Sequence, residues 1–290
     1  MDYFRLSHSY YTVETISGMI AAALKLRPLF YCLPENRNYL SIPNSLLLFE
    51  ITMNHLGLFA KYWEPGKVKT RLAKTIGNEN ACWLYRSFVL HLISRLEGCG
   101  DRRSIVYSPP EKRSEFQSVA AAWELTPQSS GDLGTRMCQF LNDQFESQSN
   151  RQPDPAPVHK SLIIGADCMM LNAEVIRDAF DTLDNCSVVL GPSRDGGYYL
   201  VGMKDRCFES IFAGIEWGTS NVLADTIKIL EQNLIEYRLL DESFDIDHIE
   251  DVKDLKRELS FKNEIDELDQ NLLNQINKLV FDGQDFEGNV

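Results

Sequence analysis

Three short segments hold side chains whose types and spacing could do chemistry. Pro65-Gly66-Lys67-Val68-Lys69-Thr70-Arg71-Leu72 sets three cations within five residues, soon after the apolar run from His55 to Ala60. The N–H groups of a Gly-containing turn, with two Lys and an Arg, can surround phosphate oxygens. A solvated basic turn is the plainer reading of the same residues, and the spacing is not that of a P-loop. Ile163-Ile164-Gly165-Ala166-Asp167-Cys168 is an apolar run ending in a lone carboxylate. Asp167 there can hold Mg2+ or Mn2+, which take oxygen ligands and bridge to phosphates. It reads equally as the cap of a helix starting near Leu171. The third segment, Gly191-Pro192-Ser193-Arg194-Asp195-Gly196-Gly197-Tyr198, follows a further apolar run and feeds another. Ligands of open α/β sheets bind beyond the carboxyl ends of the strands. A cation cluster, a carboxylate and a Gly-Gly at three such ends describe one site, suited to a nucleotide and a divalent metal.

Other candidates are weaker. Asp245-Ile246-Asp247 is a second source of carboxylate, although capping the helix that follows is the stronger reading. In Gly131-Asp132-Leu133-Gly134 the glycines allow close backbone approach and Asp132 can cap a helix. Asp195-Gly196 before β-type residues is a hairpin signal, so a hairpin with its tip toward the site is expected. Trp217 can line an acceptor pocket or pack in the core. Cys168 reads as a packed thiol. The five His show no metal spacing, and no Ser-His-Asp arrangement is visible.

The elements that would position these groups alternate. Strands are expected at 55–60, 104–107, near 122–125, and at 161–166, 187–191, 197–203 and 235–240. Helices are expected at about 78–97, 134–146, 173–183, 220–232 and 248–259. The pattern predicts an α/β, Rossmann-like fold: a mostly parallel sheet with helices on both faces. Residues 147–158 are polar and Pro-rich, as in a surface loop. Residues 1–52 lack a strand–turn–helix order and read as an extension, with Met53 as a candidate start; an N-terminal helix docked on the domain is the alternative. The expected division is therefore an extension at 1–52, a transferase domain at 53–260, and an acidic amphipathic helix and tail at 261–290.

The chain has 290 residues and a net charge of −13. Residues 241–290 hold fifteen acidic and five basic side chains, whereas 61–74 hold five basic and one acidic. A basic loop in an acidic protein suits a small anion and argues against nucleic-acid binding. Seven Cys without a C-x-x-C point to a reducing, cytoplasmic setting. No apolar run approaches a membrane span of ~18 residues, and no signal peptide is evident.

KYWEPGKVKTRLAKTIG (61–77), GDLGTRM (131–137), IIGADC (163–168), GPSRDGGYYLVGM (191–203) and WGTSNVLADT (217–226) resemble, in this order, a bacterial family of glycosyltransferase-A-fold proteins. These are the selenodomain-associated or arsenosugar-biosynthesis glycosyltransferases, which look related to 2-phospho-lactate guanylyltransferase and molybdenum-cofactor guanylyltransferase. The resemblance covers about 54–258. It implies a nucleotide-diphospho-sugar-transferase fold and a Mg2+- or Mn2+-dependent transferase using a nucleoside triphosphate or nucleotide sugar and a small-molecule acceptor. Gly66, Lys67, Lys69, Thr70 and Arg71 would meet phosphates, with Lys69, Arg71 and Asp167 catalytic. Gly131, Asp132 and Gly134 would lie near the nucleotide. Arg194, Asp195, Gly196, Gly197, Tyr198 and Trp217 would border the acceptor, and Asp167 and Asp247 would hold the metal. This chain has Ala166-Asp167-Cys168-Met169 where the family has Ser-Asp-Cys-Pro. The Met169 departure suggests a third option, a non-catalytic nucleotide-binding protein.

Overall fold

A computed structural model describes residues 52–149, 157–262 and 264–281, with short strand segments at 4–6, 9–11, 27–28, 49–50 and 284–285. The expectations for 1–51, most of the Pro-rich loop and the end of the tail therefore lie largely outside the described residues. From residue 52 the order is β1 (Thr52–Lys61), α1 (Thr70–Ile76), α2 (Asn78–Arg95), β2 (Arg102–Ser108), α3 (Arg113–Val119), β3 (Glu124–Pro127), α4 (Leu133–Ser149), β4 (Val158–Gly165), α5 (Ala173–Thr182), β5 (Val188–Pro192), β6 (Tyr198–Lys204), α6 (Val222–Gln232), β7 (Tyr237–Leu239), α7 (Ile249–Phe261) and α8 (Glu267–Asn277).

The strands form one seven-stranded sheet in the order β7-β5-β6-β4-β1-β2-β3. All are parallel except β6, which runs antiparallel to both β4 and β5. Strands covered on both faces must be apolar on both faces. Accordingly Leu162 and Ile164 of β4 enter the core shared with α1, α2, α5, α7 and α8, and Ile163 between them enters the core under α4 and α6. The β5–β6 hairpin forms as expected, with 193–197 at its tip.

Two short helices escaped the sequence reading. α1 and α3 have seven residues each, too few turns for periodicity to show. The segment read as a phosphate turn therefore already enters α1 at Thr70. The acidic amphipathic helix expected within 261–290 spans 267–277, and Asp266 caps it by accepting from the Asp269 N–H at 2.9 Å. α8 is clasped to α2 by charge. Buried Asp269 accepts from Arg95 and from Lys262, both at 2.5 Å. His91 lies 3.6 Å from the same carboxylate. Two cations already serve Asp269, and burial holds the imidazole neutral with its pKa lowered to about 4.

Candidate functional site

After β1 the chain turns through Gly66 and anchors buried Val68 before α1. Lys69 then adopts φ 47°, ψ 45°. This left-handed conformation is unfavourable for an L-residue by roughly 1–2 kcal/mol. The Lys69 side chain ends only 4% exposed, its Nζ donating to Asp167 Oδ2 at 2.7 Å and Asp247 Oδ1 at 2.9 Å. Burial opposes the ammonium charge, but the two carboxylates outweigh it and raise the Lys69 pKa. Two residues on, Arg71 Nη1 donates to Asp247 Oδ2 at 3.1 Å. Lys67 points outward and pairs with Glu64 at 2.6 Å.

The carboxylates meet because two distant segments run side by side. The Ile246 N–H donates to the Asp167 carbonyl at 3.0 Å, tying the 245–247 segment to the end of β4. Ile246 is fully buried. In extended chain its neighbours point the other way, so Asp245 and Asp247 both reach the cavity. The helix-cap readings of Asp167 and Asp247 do not hold. Asn172 caps α5, accepting from the N–H groups of Glu174 and Val175. Asp251 accepts from the N–H of His248 at the start of α7. Of the Asp245-Ile246-Asp247 segment the sequence reading took only Asp247 as a metal ligand, although the i, i+2 relation of Asp245 around an apolar residue signalled a second carboxylate on the same side. Burial, and then the Asp167 charge, push its carboxyl up to about 7, against a 3.0 Å hydrogen bond from Ser193 Oγ. Asp247 is held below the usual carboxylate range: burial acts against this, and the Lys69 charge and hydrogen bond, then Arg71, prevail.

These groups line a cavity of about 540 Å3 beyond the carboxyl ends of β1 and β4. Its lining also includes apolar side chains, Phe59, Met137, Ile163, Val201 and Trp217. Lys67, Lys69, Thr70, Arg71, Asp167, Asp195, Gly197, Tyr198, Trp217 and Asp247 all line it. Gly66 lies in the preceding turn. Gly131, Asp132 and Gly134 are not among its lining residues. Asp132 caps α4 through the Thr135 N–H at 2.8 Å, and it is Leu133, Arg136 and Met137 that face the cavity. Gly134 lies under Trp217: a Cβ there would fall 2.7 Å from the indole. Gly196, with φ 88°, packs on the Ser220 backbone, where a Cβ would lie 2.0 Å from the carbonyl oxygen. Arg194 points away, 4.6 Å over the Phe244 ring and 3.6 Å from Asp254. Trp217 serves both of its readings, lining the cavity and packing edge-on to Tyr198 at 6.2 Å. Cys168 is a packed thiol, its pKa pushed up to about 12 by burial.

The oxygen donors suit Mg2+ or Mn2+. Three carboxylates, Asp167, Asp245 and Asp247, line the cavity together with the single buried ammonium of Lys69. Among the described residues no cluster of three or more His, Cys, Asp or Glu is arranged to hold a metal. The fit is therefore to a cation held by two carboxylates, with phosphate and water supplying the rest, as is usual for Mg2+.

The mostly parallel α/β sheet, with its cavity at the carboxyl ends of the strands, has the fold of a nucleotide-diphospho-sugar transferase. The family model for "Uncharacterized protein conserved in bacteria (DUF2064)" matches residues 94–219. The chain is similar to a crystal structure from Desulfovibrio desulfuricans G20 described as a "putative nucleotide-diphospho-sugar transferase". That match has 26% identity and a TM-score of 0.65, over 78% of this chain and 98% of that one. A 4-diphosphocytidyl-2C-methyl-D-erythritol synthase matches at 10% identity and TM-score 0.45, covering 69% and 94% of the two chains. A CMP:2-keto-3-deoxy-manno-octonic acid synthetase complexed with CTP matches at 10% and 0.43, covering 72% and 99%. No curated protein matches the sequence. No described helix is long and apolar enough to cross a membrane.

Proposed function

We propose that this protein is a metal-dependent transferase that binds a nucleoside triphosphate and passes its nucleotidyl group to a small phosphorylated acceptor. The observation that carries the reading is the meeting of Lys69, Asp167 and Asp247 in the cavity lining. Lys61, Lys69, Arg71 and Arg136 line the same cavity, a supply of positive charge matched to a triphosphate. Asp167 and Asp247 would hold Mg2+ or Mn2+, which when bound supplies charge stabilisation to phosphate oxygens. Lys69 and Arg71 would offset the charge that builds on the α-phosphate as an acceptor oxygen attacks and pyrophosphate leaves. Asp195, Gly197 and Tyr198 on the hairpin and Trp217 would border the acceptor, and the apolar side chains of the lining would help exclude water.

The second reading is glycosyl transfer from a nucleotide sugar. Its support is the likeness to the Desulfovibrio protein, whose description names that class, together with the motif resemblance to the selenodomain-associated and arsenosugar-biosynthesis glycosyltransferases. A thermal-shift screen of nucleotides and nucleotide sugars with Mg2+ or Mn2+ separates the two, because a ligand of the folded state raises apparent stability by RT ln(1 + [L]/Kd). Stabilisation by triphosphates supports nucleotidyl transfer, and stabilisation by a nucleoside-diphosphate sugar supports glycosyl transfer. No response to either class refutes both.

A further inference from the structure

Lys69 does more in this structure than wait for a phosphate. Its ammonium takes one oxygen from Asp167 and one from Asp247, the same two side chains that the proposed function assigns to the metal. Ligand oxygens lie about 2.1 Å from Mg2+, so a dication sharing those oxygens would sit within about 5 Å of Nζ. Lys69 is 4% exposed and its two carboxylates 37% and 36%, so water screens the two positive charges from each other only in part. The strained left-handed backbone at residue 69 turns the chain so that the side chain enters the carboxylates instead of following Lys67 into solvent.

We propose that Lys69 is a counter-ion latch, closing Asp167 and Asp247 to a divalent cation until a polyphosphate draws the ammonium away. The inference rests on the metal reading of Asp167 and Asp247 and concerns how that site is regulated. Metal and nucleotide then load as one unit: the anion gives Lys69 a new partner, and the freed carboxylates accept the cation. The metal alone binds weakly. Coupling of this kind is reciprocal, so the metal strengthens nucleotide binding by the same factor.

The test is Lys69→Met, which keeps most of the length of the side chain and removes the charge. Mn2+ binding is measured by calorimetry on the protein without nucleotide, and inorganic tripolyphosphate binding is measured separately in EDTA. The latch requires opposite signs: Mn2+ alone binds at least about tenfold tighter than to the unmodified protein, and metal-free tripolyphosphate binds more weakly. Equal or weaker Mn2+ binding in the variant overturns the latch, even if tripolyphosphate binding falls. If neither protein binds Mn2+, with or without a nucleoside triphosphate, the metal reading itself fails and takes the latch with it. Lys69→Gln, which restores one hydrogen bond to the carboxylates, and the rise in melting temperature on adding Mn2+ give the same comparison should Lys69→Met fold poorly.

Discussion

Replacing Asp167 with Asn removes one negative charge and keeps the side-chain shape. At 2.7 Å the Lys69–Asp167 pair has a Coulomb energy of about 6 kcal/mol at an effective dielectric of 20. Most of that is not lost. Asp167 is 37% exposed, so water already screens it. The Asn oxygen still accepts from the ammonium, and Lys69 keeps Asp247. The change also relieves Asp245, whose carboxyl is pushed up partly by the Asp167 charge. The net loss for the ligand-free protein is about 1 kcal/mol, a fall of roughly 2–4 °C in melting temperature at this chain length. Metal-dependent binding should suffer far more. Disturbing an outer-shell partner of a metal ligand costs ~10–100-fold in affinity, and loss of a ligand charge at least that. The assay is calorimetry of each nucleoside triphosphate with Mn2+, alongside a melting curve without ligand. A variant that melts some 10 °C lower yet keeps its Mn2+-dependent binding would refute the reasoning and make Asp167 a structural ion-pair partner.

Three further outcomes are expected. Gly196→Ala should destabilise the fold by about 2 kcal/mol or more, because a Cβ would fall 2.0 Å from the Ser220 carbonyl oxygen at a φ of 88°; an unchanged denaturant midpoint counts against the packing described here. Gly134→Ala should displace the Trp217 ring, changing tryptophan emission and lowering stability by about 1–3 kcal/mol; emission and midpoint both matching the parent would refute it. Burial lowers the pKa of His55 and of His91 to about 4 from 6.5. The unfolded chain then takes up protons first, so stability is full above about pH 6.5 and falls toward pH 4, by up to about 3 kcal/mol per His. A urea midpoint at pH 5 equal to or above that at pH 7.5 sinks this account.

Much of this architecture is legible in the sequence because its signals are local. The continuous apolar runs and the helical apolar patterns mark the strands and the long helices, and Asp-Gly before Tyr198 marks the hairpin. The clustering of Lys67, Lys69 and Arg71 marks a basic loop on composition alone. What those signals leave open is which groups meet. Asp167 and Asp247 each read as well or better as helix caps, and only the chain's return along the end of β4, fixed by the Ile246 N–H on the Asp167 carbonyl, brings them to one ammonium. Local pattern likewise could not sort three neighbouring cations. Lys67 goes to solvent and Lys69 inward because of one backbone conformation, stable only where distant carboxylates receive the side chain. Nor could it tell that Gly134 makes room for Trp217, since that contact closes a separation of 83 residues. Periodicity records what each residue does relative to its near neighbours, whereas charge pairing and close packing depend on distances that exist only once the sheet has assembled.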